Sequence, residues 1–458
     1  MPVHALDFRL QSHFYSTPEL AAVFDEQRKM NRWLQVEAAL ARSQGELGII
    51  PAEAAVEIGA RADLEHLDRT LIEEGYGRSR NSLMPVVKAL RQACGEYGRY
   101  VHYGATTQDI IDTAQVLELR DALQIMYRDL RVLEKLLIDL SRRHRRTPMI
   151  GRTHGQQALP VTFGLKIAGW AAEVRRHIER LKAVYPRVTV GQLSGAVGTM
   201  AALGPRGREV AGRTMELLGL QWKAPGWHTC RDNMAEIASL FALLAGTLEK
   251  IANEVFLLGK TEVGELAESP PESQMSSTMP HKQNPVYCQR VAVLARHIRS
   301  LSGTVLESMA HEHERDPRLL WSEWLAMPQL AVYTGTAAGY LLRVLDGLVV
   351  REENMKKNLY LHKDMVMSEW LLFRLAPVMG KMEAQDRLHA LLRRSAEERT
   401  GLREMLAGDQ IIGPLLGDGD MEFMDHPERY IGLAVELVDD TLAEIESRRK
   451  GDPEELII

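Results

Sequence analysis

"RDNMAEIASLFALLAGTLEKIANEVFLLGK", residues 231–260, spaces Met234, Ile237, Leu240, Leu244, Leu248, Ile251, Val255 and Leu258 three or four positions apart. That spacing gathers the apolar side chains on one face of a helix. The helix it predicts exceeds the usual globular length, so its apolar face needs other rods beside it. Residues 110–145 repeat the pattern through Leu123, Met126, Leu130, Leu133, Leu137 and Leu140. Residues 161–185 do the same, and 286–312 do so more weakly. The expected fold class is mainly α, with a central bundle of near-parallel long helices. Alternating patterns are scarce; "RVTVGQLSG" (187–195) is the best short strand candidate.

The chain has 458 residues, 45% of them hydrophobic. That supports a large core or two to three domains. Shorter helices are expected over 1–110 and a further helical group over 355–458, ending in the charged "SRRKGDPEELII". A net charge of −6 excludes a general basic footprint for nucleic acid. No stretch reaches the apolar length of a membrane span. Cys94, Cys230 and Cys288 lie far apart and fit neither zinc spacing nor a disulfide framework, so the expected location is a reducing cytoplasm. "MPVHALDFRL" at the N-terminus lacks a basic region followed by an apolar run, so no signal peptide is expected.

Polar segments interrupt the rods. "SSTMPHKQNP" (276–285) holds two serines, a lysine and an asparagine between long helices. Lys282 and Asn284 could grip a carboxylate, one with charge and one with a directed donor. Ser276 or Ser277 could take a proton if local dipoles stabilised its alkoxide. Read alone, the segment is an ordinary surface loop. "GRTHGQQ" presents His154, which is either a proton shuttle or a capping or core histidine. "VHYGATTQD" sets His102, Thr106, Thr107 and Gln108 at a helix start, where hydroxyls and free amides suit an anion. Plain capping by a threonine can hold at the same time. "HEHERD" (311–316) spaces its histidines two apart, against the four of a zinc helix, and reads as a polar helix surface with no metal. "GDGDME" (417–422) lacks a full calcium ligand series and reads as a turn.

Taken together, these segments resemble the fumarase/aspartase superfamily. "SSTMPHKQNP" is similar to its signature loop. "HYGATTQDIIDT" and "GRTHGQQALPVTFGLK" are similar to its two other active-site segments, in the same order and at similar separations. "SGAVGT" (194–199) and "KTEVGE" (260–265) also match, and the resemblance runs along nearly the whole chain. It implies a three-domain helical lyase fold, here 1–110, 111–354 and 355–458, and a homotetramer whose active sites draw one segment from each of three subunits. It implies no metal and no cofactor, a small dicarboxylate-type substrate, and β-elimination of fumarate from a succinyl compound. By this match Ser276 is the base. Lys282 and Asn284 bind the carboxylate and steady the aci-carboxylate intermediate. Thr106, Thr107 and Gln108 hold the substrate acid groups, with Thr153, Gln156, Ser277 and Arg315 completing the binding set. His154 protonates the leaving group, and His102 orients substrate or assists.

Two branches compete, adenylosuccinate lyase and 3-carboxy-cis,cis-muconate cycloisomerase. His154 to Gln156 and "SGAVGT" resemble the first. "HERDPRLLWSEWLAMP" (313–328) lacks its phosphate-gripping Ser-Ser-x-x-Arg run, and Trp321, Trp324 and "RNSLMPVVKAL" (80–90) resemble the second. Met275 replaces a usual glycine, and Gln289 replaces a glutamate that often supports the catalytic histidine. The expectation is a carbon–nitrogen lyase releasing fumarate from an N-substituted aspartate. A lactonising cycloisomerase is the alternative. A non-catalytic structural homologue is a third reading, opposed by the intact Ser276, Lys282 and His154. The leaving group would be read by the first domain and by residues 315–330.

Overall fold

The computed structural model describes residues 4–8, 10–269, 279 and 281–457. Five rods dominate them: Thr107–Arg143, Phe163–Val188, Asp232–Leu258, Val286–Glu307 and Pro317–Asp346. The first rod packs on the second and fifth, and the third packs on the second, fourth and fifth. Every periodic apolar residue named above in 110–145 and 231–260 is buried in one continuous core. Each such leucine contributes roughly 1.5–3 kcal/mol relative to exposure. A second cluster gathers Ile150 with residues of 359–424.

Caps set the rod starts. Thr162 Oγ1 accepts the Leu165 N–H at 3.2 Å, and Asp316 Oδ1 accepts the Arg318 N–H at 3.0 Å beside Pro317. Pro317 suits a first turn, where its missing N–H is no loss.

Four local readings are corrected. The principal strands are β1 (Pro148–Thr153) and β2 (Gln156–Thr162), an antiparallel hairpin around the polar segment that carries His154. Its turn is His154 and Gly155, with φ of 52° and 73°. Two left-handed residues give the turn twist that matches twisted strands. Residues 187–195 form no ladder beyond an isolated Val190–Gln221 bridge. Their backbone groups bond side chains instead: Gln192 exchanges N–H and C=O bonds with the Thr113 hydroxyl, and the Ser194 and Gly195 N–H groups go to Asp109. "HEHERD" is a loop between the fourth and fifth rods rather than a helix surface, with His313 at φ 54°. "GDGDME" opens the short helix Asp418–Met424, because Asp420 accepts the Gly417 N–H at 3.0 Å.

The C-terminal tail is strapped down. Asp452, whose side chain is buried, takes Arg175 and Lys182, each at 2.8 Å. Tyr127 donates to the Pro453 carbonyl at 2.7 Å, and Gln124 exchanges two bonds with the backbone of buried Leu456.

Candidate active site

The start of the first rod is held by two buried carboxylates. Glu37 places Oε1 2.6 Å from His102 Nδ1, and its Oε2 accepts the His102 N–H at 3.1 Å. This double grip fixes the imidazole although His102 sits at φ 61°. Burial alone would lower the His102 pKa; the Glu37 charge outweighs it, and the pKa ends above the ordinary histidine value. Glu37 lies 65 residues away and was missed in the sequence, where an acidic side chain on an amphipathic helix reads as solvated.

Asp109 is the second carboxylate, and it is fully buried. Oδ1 accepts from Ser194 N at 2.9 Å and from His228 Nε2 at 2.9 Å. Oδ2 accepts from Thr106 N and Gly195 N, both at 3.0 Å. One residue thus ties the rod start to "SGAVGT" and to His228. Gly104, at φ 79°, lets the backbone approach Leu203 and Ala202; a Cβ there would meet Leu203 Cδ2 at 2.8 Å.

Beside this junction lies a cleft of about 570 Å³. Thr107, Gln108 and Asn81 line its polar side, and Asn81 Nδ2 donates to Thr107 Oγ1 at 3.3 Å. Ile111, Leu320, Trp321 and Trp324 line its apolar side. Arg80 and Arg315 supply its charge. Arg315 donates to Thr106 Oγ1 at 3.4 Å and to the Ala196 carbonyl at 2.7 Å. Among the described residues neither arginine has a carboxylate partner, and no acid lines the cleft. An anion entering it meets two uncompensated cations.

A fully buried charge cluster lies behind the cleft wall. Arg231 grips Asp112 at 2.8 and 3.2 Å and Glu323 at 2.8 Å, with a second contact to Glu323. Gln115 donates to Glu323 at 3.0 Å. The loop histidine His311 lies near this cluster. Its pKa is lowered, first by burial and then by the Arg231 charge.

The other sequence candidates stand apart from the cleft within one chain. Thr153, His154 and Gln156 are exposed at the hairpin tip, and His154 makes no hydrogen bond or ion pair among the described residues. Arg152, one pair behind the hairpin tip, is clamped by buried Glu265 of "KTEVGE" at 2.6 and 3.0 Å. Lys282 is exposed and Asn284 is half-buried. Glu268, missed in the sequence, accepts the Tyr287 and Cys288 N–H groups at 2.9 and 3.0 Å, placing a carboxylate on the positive end of the fourth rod. Ser276 and Ser277 lie outside the described residues. The structure therefore gathers Thr106, Thr107, Gln108 and Arg315 around one cleft, with His102 adjoining in sequence. It does not bring His154 or Lys282 to them within the described part of a single chain.

Glu37→Gln is expected to lower the His102 pKa, because burial and the Arg91 charge are then opposed only by Asp109. In the unsubstituted protein the ion pair contributes stability that is fully present below the unfolded histidine value of about 6.5 and is lost as pH rises through the higher folded value. The variant should lose that decline. A histidine NMR titration with melting curves from pH 5 to 9 tests this; an unmoved His102 titration would refute the pairing.

A long-helix bundle thus carries a doubly cationic cleft, bordered by hydroxyl-rich loops, that suits a small anion. A protein-family model described as "Lyase" matches residues 14–300. The N-acetyl-S-(2-succino)cysteine lyase of Dickeya dadantii is 38% identical over 443 residues, covering 96% of this chain and 98% of that protein. The adenylosuccinate lyase of Pyrococcus abyssi is 39% identical, covering 98% of this chain and 100% of its own. The crystal structure of the 3-carboxy-cis,cis-muconate lactonizing enzyme from Pseudomonas putida superposes with a TM-score of 0.89 at 34% identity, covering 95% and 98% of the two chains. The chain belongs to this lyase family. It is a lyase of the fumarase/aspartase superfamily, with that superfamily's helical fold. No described helix is long and apolar enough to cross a membrane.

Proposed function

We propose that this chain eliminates fumarate from a 2-substituted succinate whose leaving group is a small thiol or amine rather than a nucleotide. The observation that carries the reading is the cleft with Arg80 and Arg315, free of acids and walled by Trp321 and Trp324. The cations and the Thr106 and Thr107 hydroxyls suit the two carboxylates of a succinyl group, and the indoles suit an apolar stem on the leaving atom. The stretch from Arg315 to Leu325 carries no Ser-Ser-x-x-Arg phosphate grip.

In this reading Ser276 takes the proton from the carbon next to one carboxylate, and Lys282 and Asn284 steady the resulting aci-carboxylate. The electron pair then forms the fumarate double bond as the carbon–heteroatom bond breaks toward the heteroatom. His154 supplies the leaving group's proton where one is needed. The hairpin tip and the signature loop reach the cleft from neighbouring subunits of a homotetramer. Exposed Leu243, Leu257, Val293 and Leu306 on the third and fourth rods support an assembly that covers them. The three-domain division at 110 and 354 and a cytoplasmic location belong to the same reading.

Sulfur suits the leaving atom best. A thiol ionises near pH 8.5, so it departs as thiolate with little acid help. Gln289 stands where related sequences often carry a glutamate behind the catalytic histidine, and a neutral partner supports an imidazolium less. The Dickeya relative's name supports sulfur. Nitrogen is the second reading, supported by the adenylosuccinate lyase of Pyrococcus abyssi at 39% identity.

The test is fumarate absorbance after incubation with N-acetyl-S-(2-succino)cysteine, its deacetylated form, adenylosuccinate, argininosuccinate and carboxymuconate. Ser276→Ala is the control. Fumarate from a thioether, abolished in the variant, is expected. Fumarate from an amine alone moves the leaving atom to nitrogen. Loss of carboxymuconate without fumarate replaces elimination with lactonisation.

A further inference from the structure

Asp112 is buried with no exposed side-chain surface, and three side chains converge on it. Oδ2 accepts from Arg231 Nη1 at 2.8 Å and from Gln108 Nε2 at 3.0 Å. Oδ1 accepts from Trp324 Nε1 at 3.2 Å and from Arg231 Nη2 at 3.2 Å. Arg231 is anchored in turn by Glu323 and lies 4.6 Å over the Trp227 ring. Of the groups on Asp112, Gln108 and Trp324 both line the cleft. The Gln108 amide nitrogen also donates to the His228 carbonyl at 3.0 Å, so both its protons are committed inside the protein. Neither bond survives a flip of the amide, since a carboxylate and a carbonyl can only accept.

We propose that Asp112 is a positioning residue for substrate selectivity, fixing the Trp324 indole and the Gln108 amide as one rigid wall that reads the leaving group. An indole held only by packing can turn about its side-chain torsions. One whose N–H is bonded to a buried carboxylate keeps a single face toward the ligand. Arg231 bonds both Asp112 oxygens and fixes the carboxylate plane, so each oxygen stays aimed at its second donor. The ordering of the wall is met during folding rather than at each binding event, the condition under which a pocket separates ligands of similar size. This inference rests on the proposed fumarate elimination.

The experiment compares kcat/KM for N-acetyl-S-(2-succino)cysteine and its deacetylated form in the unsubstituted protein, in Trp324→Phe and in Asp112→Asn. Trp324→Phe keeps an aromatic ring and removes only the indole and its N–H, so it tests the wall even if Asp112→Asn fails to fold. The unsubstituted protein is expected to prefer one thioether, and both variants to bring the ratio about 10-fold closer to one, mainly through KM. A ratio that stays fixed while the melting temperature falls would make Asp112 merely structural and overturn the proposal, as would a ratio already near one. Silence of the unsubstituted protein toward every succinyl compound removes the elimination reading and this proposal with it. An unchanged ratio with active enzyme removes this proposal alone.

Discussion

Arg231→Met should lower the free energy of unfolding by about 3–5 kcal/mol, the cost of breaking a buried ion pair from one side. The Arg231, Asp112 and Glu323 side chains are all 0% exposed. Methionine fills similar volume but leaves two carboxylates without a cation, in a site no water reaches. The triple variant Arg231→Met, Asp112→Asn, Glu323→Gln removes the uncompensated charge as well, and should recover most of the loss. Urea unfolding followed by circular dichroism measures both effects. A single variant within about 1 kcal/mol of the unsubstituted protein would show that the cluster holds the first, third and fifth rods together far less than its burial indicates.

That cluster also shows where reading the sequence stops. The rods at 231–260 and 110–145 were legible because Leu, Ile and Met recur with the helical period, a property each segment carries alone. The fifth rod was harder to see, because Pro317 and Pro328 punctuate it and its buried residues include Glu323. A buried acid cannot be told from a solvated one until its partner arrives. Glu323 meets Arg231 across 92 residues, Glu265 meets Arg152 across 113, and Glu37 meets His102 across 65. The β1–β2 hairpin was legible in principle, since a residue tolerant of left-handed φ followed by Gly155 marks a two-residue turn; the histidine drew attention to chemistry instead. The converse error at 187–195 has the same origin. Val and Thr alternate there, but Asp109 and Thr113 capture the backbone groups a neighbouring strand would have used. Of the site, the resemblance supplied Thr106, Thr107, Gln108 and Arg315, and the fold adds Asn81 and Arg80 beside them. Folding of one chain leaves His154 at an exposed hairpin tip, where only the proposed homotetramer would give it a place in the site.

Asp109→Asn should reduce kcat/KM for fumarate release roughly 10²-fold, the loss that accompanies a displacement of about 1 Å in a catalytic constellation. Asp109 accepts four hydrogen bonds on two oxygens: Ser194 N and His228 Nε2 on one, Thr106 N and Gly195 N on the other. Asparagine keeps one oxygen and turns an NH2 group against donors that it cannot satisfy. Each lost bond to a charged acceptor is worth about 1.5–3 kcal/mol, so the chain should move rather than tolerate the clash. The parts that move are specific. Arg315 is held by Thr106 Oγ1 and by the Ala196 carbonyl, and Asp109 ties down Thr106 and the residues just before Ala196. Loosening Asp109 therefore releases both anchors of a cleft arginine that Asp109 never touches. The effect should be redundant with loss of that arginine. Arg315→Ala should cost much less in the Asp109→Asn background than in the unsubstituted protein, leaving a coupling energy above about 1 kcal/mol in a double-mutant cycle. Steady-state kinetics on whichever succinyl compound yields fumarate would decide it. Additive losses would mean that Asp109 serves the fold alone. A shared loss would place Arg315 at the end of a chain of contacts that starts in a buried carboxylate and ends on the substrate's charge.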